Sequence, residues 1–387
     1  MAFKPRSGRT AMDYSFTEQQ QMLKKAARDF LTARCDKHFI DRITKTESGF
    51  DNGMWKEMAD LGWQGLIIPE AHGGTGGDFL DLCALLEETG GALLPAPLFA
   101  TVIGGALPLM LGGSKAQQER FLPRIAGGEA IFALALLEGD ATYAQEAIKL
   151  EAKAAKDGYV LNGAKLFVPY AGSADYLTCA ARTGTGVSLF IVDARAQGVS
   201  HTPLVTMGGE KKYEVTFTNV AVARDRLLGE RDRGWPLIEK ILERATAAKC
   251  AEMLGGMQHV LDFTIEYVKQ RVQFGRPIGS FQAVQHHCAN IVMGIELARG
   301  ITWEAAWRIS AGKPAAMEAA MAKQLANEAY LRTTVVAHQV HGGIGLIREH
   351  PLYLYYREAR TAAYAYGDTA HSADRVAAAV AAGAPIW

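Results

Sequence analysis

Arg271, Gln273, Gln282, Gln285 and His286 crowd hydrogen-bond donors into one short run, Arg271-Val272-Gln273-Phe274-Gly275-Arg276-Pro277-Ile278-Gly279-Ser280-Phe281-Gln282-Ala283-Val284-Gln285-His286. Gly275, Pro277 and Gly279 break the helical period there, so the run is expected to turn between two long helices. Ser280 stands where it can cap the second helix. The first turns of that helix carry Gln282, Gln285 and His286 on one face, because side chains three and four residues apart stack. Unpaired N–H groups at a helix start attract anions, and Arg271 adds a fixed fork suited to a diphosphate. The chemistry implied is recognition of a phosphate-bearing ligand, against the plainer alternative of a helix hairpin with a few polar side chains.

A second polar turn follows at Gln339-Val340-His341-Gly342-Gly343-Ile344-Gly345. By itself it also fits a helix C-cap with a left-handed glycine. Taken together, the two runs resemble the Arg-x-x-Phe-Gly, Gln-x-x-Gln and Gln-x-x-Gly-Gly-x-Gly patterns of acyl-CoA dehydrogenases, flavoproteins that desaturate fatty-acyl thioesters. The resemblance covers the chain from Met12 onward. It implies that Arg271, Gln273, Phe274 and Gln282 hold the FAD of a partner subunit, and that Gln339, Gly342 and Gly343 meet its adenosine diphosphate part. Glycines let backbone amides approach phosphates, and arginine keeps its charge at any working pH, so the physics agrees. A site shared across a subunit boundary implies a homodimer or homotetramer at least.

The family strand A-L-T-E-P-x-x-G-S-D, which wraps the flavin ring, is matched here by Ala133-Leu134-Ala135-Leu136-Leu137-Glu138-Gly139-Asp140. Leu137 takes the place of the threonine, so backbone contacts can survive and a hydroxyl contact cannot. Lys165-Leu166-Phe167-Val168 stands where the family often has Lys-Trp-Ile-Thr, and Phe167 is able to pack on the flavin or in a β core. Thr369 matches a family threonine and is a further expected flavin contact.

Desaturation needs a base for the α proton while hydride leaves the β carbon, and a carboxylate in a dry pocket is the usual solution. The family glutamate lies in Tyr-Glu-Gly-Thr, but this chain reads Tyr366-Gly367-Asp368-Thr369. A second family position, counted back from Phe274, falls on Ala245. The remaining candidates are Asp368, one residue displaced, and Glu252, on the face of Ala245 but about 10 Å further along the helix. Each is also readable as structural, a turn aspartate capping the last helix and a helix glutamate in a polar pocket. The main-chain N–H of Gly367 retains the ability to polarise a thioester carbonyl.

These residues must be positioned by several domains, since 387 residues exceed a single core. The pattern is helical over 12–125, short and strand-like over 126–235, and helical again over 236–387. The fold class is therefore α+β, with an all-α N-terminal domain, a central antiparallel β domain and a C-terminal four-helix bundle, the order found in acyl-CoA dehydrogenases. The glycine loop at Ile68–Asp78 lacks the strand and Lys-Ser/Thr of a P-loop.

The 41 basic and 41 acidic residues balance, which gives no field for nucleic acid or an anionic membrane. Five scattered cysteines without metal spacing point to reduced thiols and a cytoplasmic protein, with no metal site. Residues 1–11 look like an added leader before Met12. The uncharged stretch Gly90–Gly113 is long enough to span a bilayer but is broken by Pro95, Pro97 and Pro108, so a buried helix pair is expected instead of insertion. The region Ala92–Leu98 is apolar, which favours a hydrocarbon or ring-bearing acyl group. The resemblance implies FAD-dependent α,β-dehydrogenation of an acyl-CoA, with electrons passed to an electron-transfer flavoprotein. The alternative is a base-lacking, flavin-binding subunit in a heterotetramer with a catalytic subunit.

Overall fold

The computed structural model describes residues 16–384, so the expectations for residues 1–11 and Met12 lie outside the described residues. Among the described residues seven α-helices come first: α1 (Glu18–Arg34), α2 (Lys37–Ile43), α3 (Asn52–Asp60), α4 (Phe79–Gly91), α5 (Leu98–Thr101), α6 (Leu107–Gly112) and α7 (Lys115–Ala126). Thr17 and Gln20 form a reciprocal cap at α1, as do Asp78 and Asp81 at α4 and Ser114 and Gln117 at α7. The expected pair of buried helices at Gly90–Gly113 is instead α5, a π-helical turn at Val102–Ala106 and α6 in unbroken succession, packed on the sheet. No helix among the described residues is long and apolar enough to cross a membrane.

The central sheet comprises β1 (Phe132–Ala135), β2 (Glu151–Ala155), β3 (Gly158–Pro169), β4 (Tyr176–Thr183), β5 (Gly186–Asp193), β6 (Val199–Leu204), β7 (Lys212–Ala223) and β8 (Leu227–Leu228). Its order is β6-β7-β3-β2-β4-β5-β8, with β1 alongside β4. Pairing is mostly antiparallel; β1 and β2 run parallel to β4. Strand β6 is not evident from the sequence, because none of its residues is buried and no apolar face marks it.

The C-terminal helices are α8 (Trp235–Gln270), α9 (Gln282–Ser310), α10 (Ala316–His341), α11 (Leu352–Ala362) and α12 (Thr369–Ala381). A hairpin of β9 (Val272–Gln273) and β10 (Arg276–Pro277) turns the chain from α8 into α9. Helices α4 and α8 cross at backbone contact: a Cβ on Gly255 would lie 1.7 Å from the carbonyl oxygen of Glu87. This crossing fixes where the side chains of α8 stand relative to the N-terminal domain.

Candidate functional site

The two polar turns meet at one end of the bundle. Tyr267, one turn before Arg271, donates to the main-chain oxygen of His341 at 3.3 Å, which ties the α8–α9 corner to the end of α10. Arg271, Gln273, Phe274, Gln282, Gln339, Gly342 and Gly343 are all exposed there, and nothing lies within 4 Å of a Cβ built on Gly342 or Gly343. Ser280 does not cap α9. Its hydroxyl donates back to Pro277 O, and Phe281 takes the cap position without a side-chain bond, because a 3₁₀ turn at Ile278–Ser280 intervenes.

The β-domain residues gather around a buried ion pair. Lys165, wholly buried, donates to Glu138 at 2.6 Å and to Leu136 O at 3.2 Å, while Glu138 also accepts from the backbone N–H groups of Lys149 and Leu150. Leu166 N donates to Leu137 O at 2.8 Å, so the segment after β1 is held on β3. A bulge in β3 between Lys165 and Val168 gives Phe167 a left-handed backbone (φ +55°) and leaves its ring partly exposed, outside the β core.

The two positions at which the sequence leads one to expect a base converge, although they are far apart in sequence. Thr246, next to Ala245 on α8, donates to Tyr366 O at 3.3 Å, just before Gly367. Ala245 is fully buried. Gly367 has φ +114°, and a Cβ on it would come 2.7 Å from Cδ2 of His371. That backbone is one that side-chain-bearing residues rarely adopt, so the glycine is built into the turn. Asp368 serves as the N-cap of α12, its Oδ1 accepting from His371 N at 2.8 Å, and Thr369 begins that helix.

Sequence reasoning missed two residues here. Tyr143, in the loop after β1, accepts from Tyr366 N at 2.9 Å and stacks on the Tyr366 ring, and no motif marks it. Glu243 lines a gap of about 20 Å³ with Tyr143, Thr246, Tyr366 and His371; burial raises its carboxyl above the usual range, against the opposing pull of Arg244 and Arg375. Its place three residues before Thr246, hence on the same helix face, was the available signal.

Behind Phe99, which packs on Tyr366 with ring centroids 5.7 Å apart, a cavity of about 480 Å³ opens between α4, α8, α11 and the β6–β7 loop. One wall is apolar, with Leu93, Leu94, Leu98 and Phe99. The lining also carries charged side chains, Lys249, Glu252, Glu210 and Glu358 among them. Glu252 is ion-paired to Lys249, whose ammonium also lies 4.2 Å from the Phe99 ring centroid. Burial lowers the Lys249 pKa, but Glu252, Glu210 and Glu358 outweigh that and hold it above its ordinary value. Burial pushes the Glu358 carboxyl up, and Lys249 only partly offsets it.

Models of the N-terminal, middle and C-terminal domains of acyl-CoA dehydrogenases match residues 17–129, 133–220 and 232–381. A 3-(aryl)acrylate reductase of Clostridium sporogenes is 34% identical over 358 residues, covering 90% of this chain and 94% of the relative. The chain belongs to the acyl-CoA dehydrogenase family. Subunit CarC of the caffeyl-CoA reductase–Etf complex of Acetobacterium woodii is 32% identical, covering 89% of this acyl-CoA dehydrogenase and 93% of that subunit. The crystal structure of the ChsE4–ChsE5 complex from Mycobacterium tuberculosis is similar with a TM-score of 0.88 and 29% identity, covering 96% of this chain and 99% of that one. Members of the family are FAD-dependent oxidoreductases acting on CH–CH groups.

Proposed function

We propose that this chain takes part in FAD-dependent α,β-dehydrogenation of an acyl-CoA thioester as the flavin-holding subunit of a two-chain enzyme, with the α-proton base supplied by a companion chain. The observation that carries this reading is the backbone of Gly367: the residue where a glutamate would stand has a conformation suited to glycine, and Ala245 fills the other base position with a methyl group. Asp368 is engaged as a helix cap and Glu252 in an ion pair, so neither carboxylate is free for proton abstraction. The likeness to one chain of the ChsE4–ChsE5 complex supports a two-chain assembly. So do the exposed apolar side chains Met293, Leu297 and Val335 on α9 and α10. A homodimer or homotetramer is the alternative assembly.

The donors present fit FAD. Arg271, Gln273 and Gln282 would meet the diphosphate of a partner's cofactor, Phe274 would pack against it, and Gln339, Gly342 and Gly343 would meet its adenosine end. Leu137, Phe167 and Thr369 would frame the ring of the cofactor bound in the chain's own β domain, where FAD supplies the acceptor for the hydride leaving the β carbon. The Gly367 N–H would donate to the thioester carbonyl, which acidifies the α proton. The acyl group is hydrocarbon or ring-bearing, lying along the apolar wall beyond Phe99. An electron-transfer flavoprotein would take the electrons, a role in line with the Etf complex to which the CarC relative belongs. A cytoplasmic location fits the free cysteines.

Glu243 favours a second reading, a self-sufficient dehydrogenase. Its burial-raised carboxyl beside Tyr366 has the property a base requires. Anaerobic addition of an acyl-CoA panel to the purified chain decides between them. A yellow protein that does not bleach alone, and bleaches when assembled with a glutamate-bearing companion, is expected. Bleaching by the chain alone would overturn the two-chain reading; loss of it in Glu243→Gln, Glu252→Gln or Asp368→Asn then identifies the base.

A further inference from the structure

Lys323, on α10, is wholly buried and belongs to neither polar turn. An ammonium in a protein interior gives up its hydration, so the fold holds it there against a steep cost. Its three protons meet three neutral oxygens: Asn327 Oδ1 one helical turn on, Ala362 O at 2.9 Å and Ala363 O at 3.4 Å. The last two are the closing carbonyls of α11, the end of a helix that favours a cation. The ammonium therefore ties the middle of α10 to the end of α11.

From Ala363 the chain turns through Gly367 into α12, and the backbone groups of that turn can be followed one by one. Tyr364 N donates to Thr361 O and Ala365 N to Ala362 O, both at 3.2 Å. Tyr366 N donates to the Tyr143 hydroxyl, and Tyr366 O accepts from Thr246. Gly367 is buried, and its N–H donates to nothing among the described residues. Buried N–H groups in native proteins are paired, so this one is left for an acceptor that comes from outside the fold.

Thr246 and Tyr143 grip the turn beside Gly367, at Tyr366, and Lys323 grips it where it leaves α11. Bonds from an ionised donor are the stronger kind, so the lysine is the firmer of these holds. We infer that Lys323 is a positioning residue: by fixing Ala362 O and Ala363 O to α10 it aims the Gly367 N–H at the thioester carbonyl. The inference rests on the acyl-CoA reading above and names the group that holds its carbonyl donor in place.

A nuclear magnetic resonance titration of the flavin-loaded protein tests it. Tyr366–Gly367 is the one Tyr-Gly pair in the sequence, so labelling tyrosine carbonyl carbon and glycine nitrogen together isolates the Gly367 amide signal. Burial lowers the Lys323 pKa to about 8 from 10.5, with Cys250 and Asp368 opposing and Lys249 assisting. The other groups around the turn titrate elsewhere. Burial lowers His371 from 6.5, pushes Cys250 and Tyr143 up to about 12, and raises Tyr366 well above 10.0. For Lys249, burial is outweighed by Glu252, Glu210 and Glu358, which hold it above 10.5. The Gly367 signal is expected to move through one step centred near pH 8 and to lose that step in Lys323→Met. A signal that stays fixed between about pH 7 and pH 9, or a step that survives in Lys323→Met, would overturn the inference. The first of these is read on the unaltered protein and so does not depend on whether the variant folds. No thioester is added, so the outcome is separate from the acyl-CoA reading, whose failure would show as a lack of acyl-CoA binding.

Discussion

The phenol of Tyr267 donates to the main-chain oxygen of His341, and its ring stacks on the His341 imidazole with centroids 4.3 Å apart. Two turns from separate parts of the C-terminal sequence are thereby held as one surface. Tyr267→Phe keeps the stack and removes the hydrogen bond, for a loss of about 1 kcal/mol in urea unfolding. Tyr267→Ala removes both and is expected to lower the flavin content of the purified protein. Full flavin retention in Tyr267→Ala would separate the two turns functionally.

His341 itself is a pH probe. Burial, followed by the neighbouring His350 and His338, lowers its pKa to about 4 from an ordinary value of 6.5. The folded protein holds this ring neutral while the unfolded chain protonates it below 6.5. Its contribution is therefore complete above that pH and declines as pH falls toward about 4. Urea midpoints are expected to drop between about pH 7 and pH 5, and His341→Gln should flatten that part of the profile. An identical slope in the variant would mean that other groups carry it.

Gly367→Ala adds a Cβ at φ +114° and 2.7 Å from the His371 ring. The expected cost is about 1–3 kcal/mol, read as a lower melting temperature. In the double variant with His371→Ala the steric part is relieved and the backbone strain remains, so partial recovery is expected. A Gly367→Ala protein as stable as the parent would remove the argument that this position is built for glycine.

The Lys165–Glu138 pair is buried on both sides. Lys165→Met leaves the Glu138 carboxylate without its cation and is expected to cost about 3–5 kcal/mol in urea unfolding. Because Leu136 to Glu138 is held on β3 through this pair, the flavin content should fall with it. A loss below about 1 kcal/mol would show that the backbone N–H groups of Lys149 and Leu150 suffice to hold the carboxylate.

Much of the fold was legible because it rests on local periodicity. The helical spacing of α8, α9, α10 and α12 and the short apolar runs of the sheet appear in neighbouring residues, and the caps of α1, α4 and α7 are spelled by residues three apart. Strand β6 was not, since none of its residues is buried and no apolar face marks it, and helix α11 was overlooked although Leu352, Tyr355, Ala359 and Ala362 bury one face at helical spacing. Ser280 has the residue type of a cap, and the interposed 3₁₀ turn moves that role to Phe281.

The sequence by itself determined the residues at both polar turns, the family they resemble, and the presence of Ala245 and Gly367 at the positions where a base is expected, because each is a matter of residue type and short spacing. Only the tertiary structure decided that Thr246 meets Tyr366, that Tyr143 lies on that turn, and that Lys249, Glu252, Glu210 and Glu358 face one cavity. These groups come from separate segments, and their juxtaposition is set by how α4, α8, α10 and α11 pack against the β domain. Helix crossings such as the backbone contact of Gly255 with Glu87 are consequences of three-dimensional packing, which no one-dimensional pattern records.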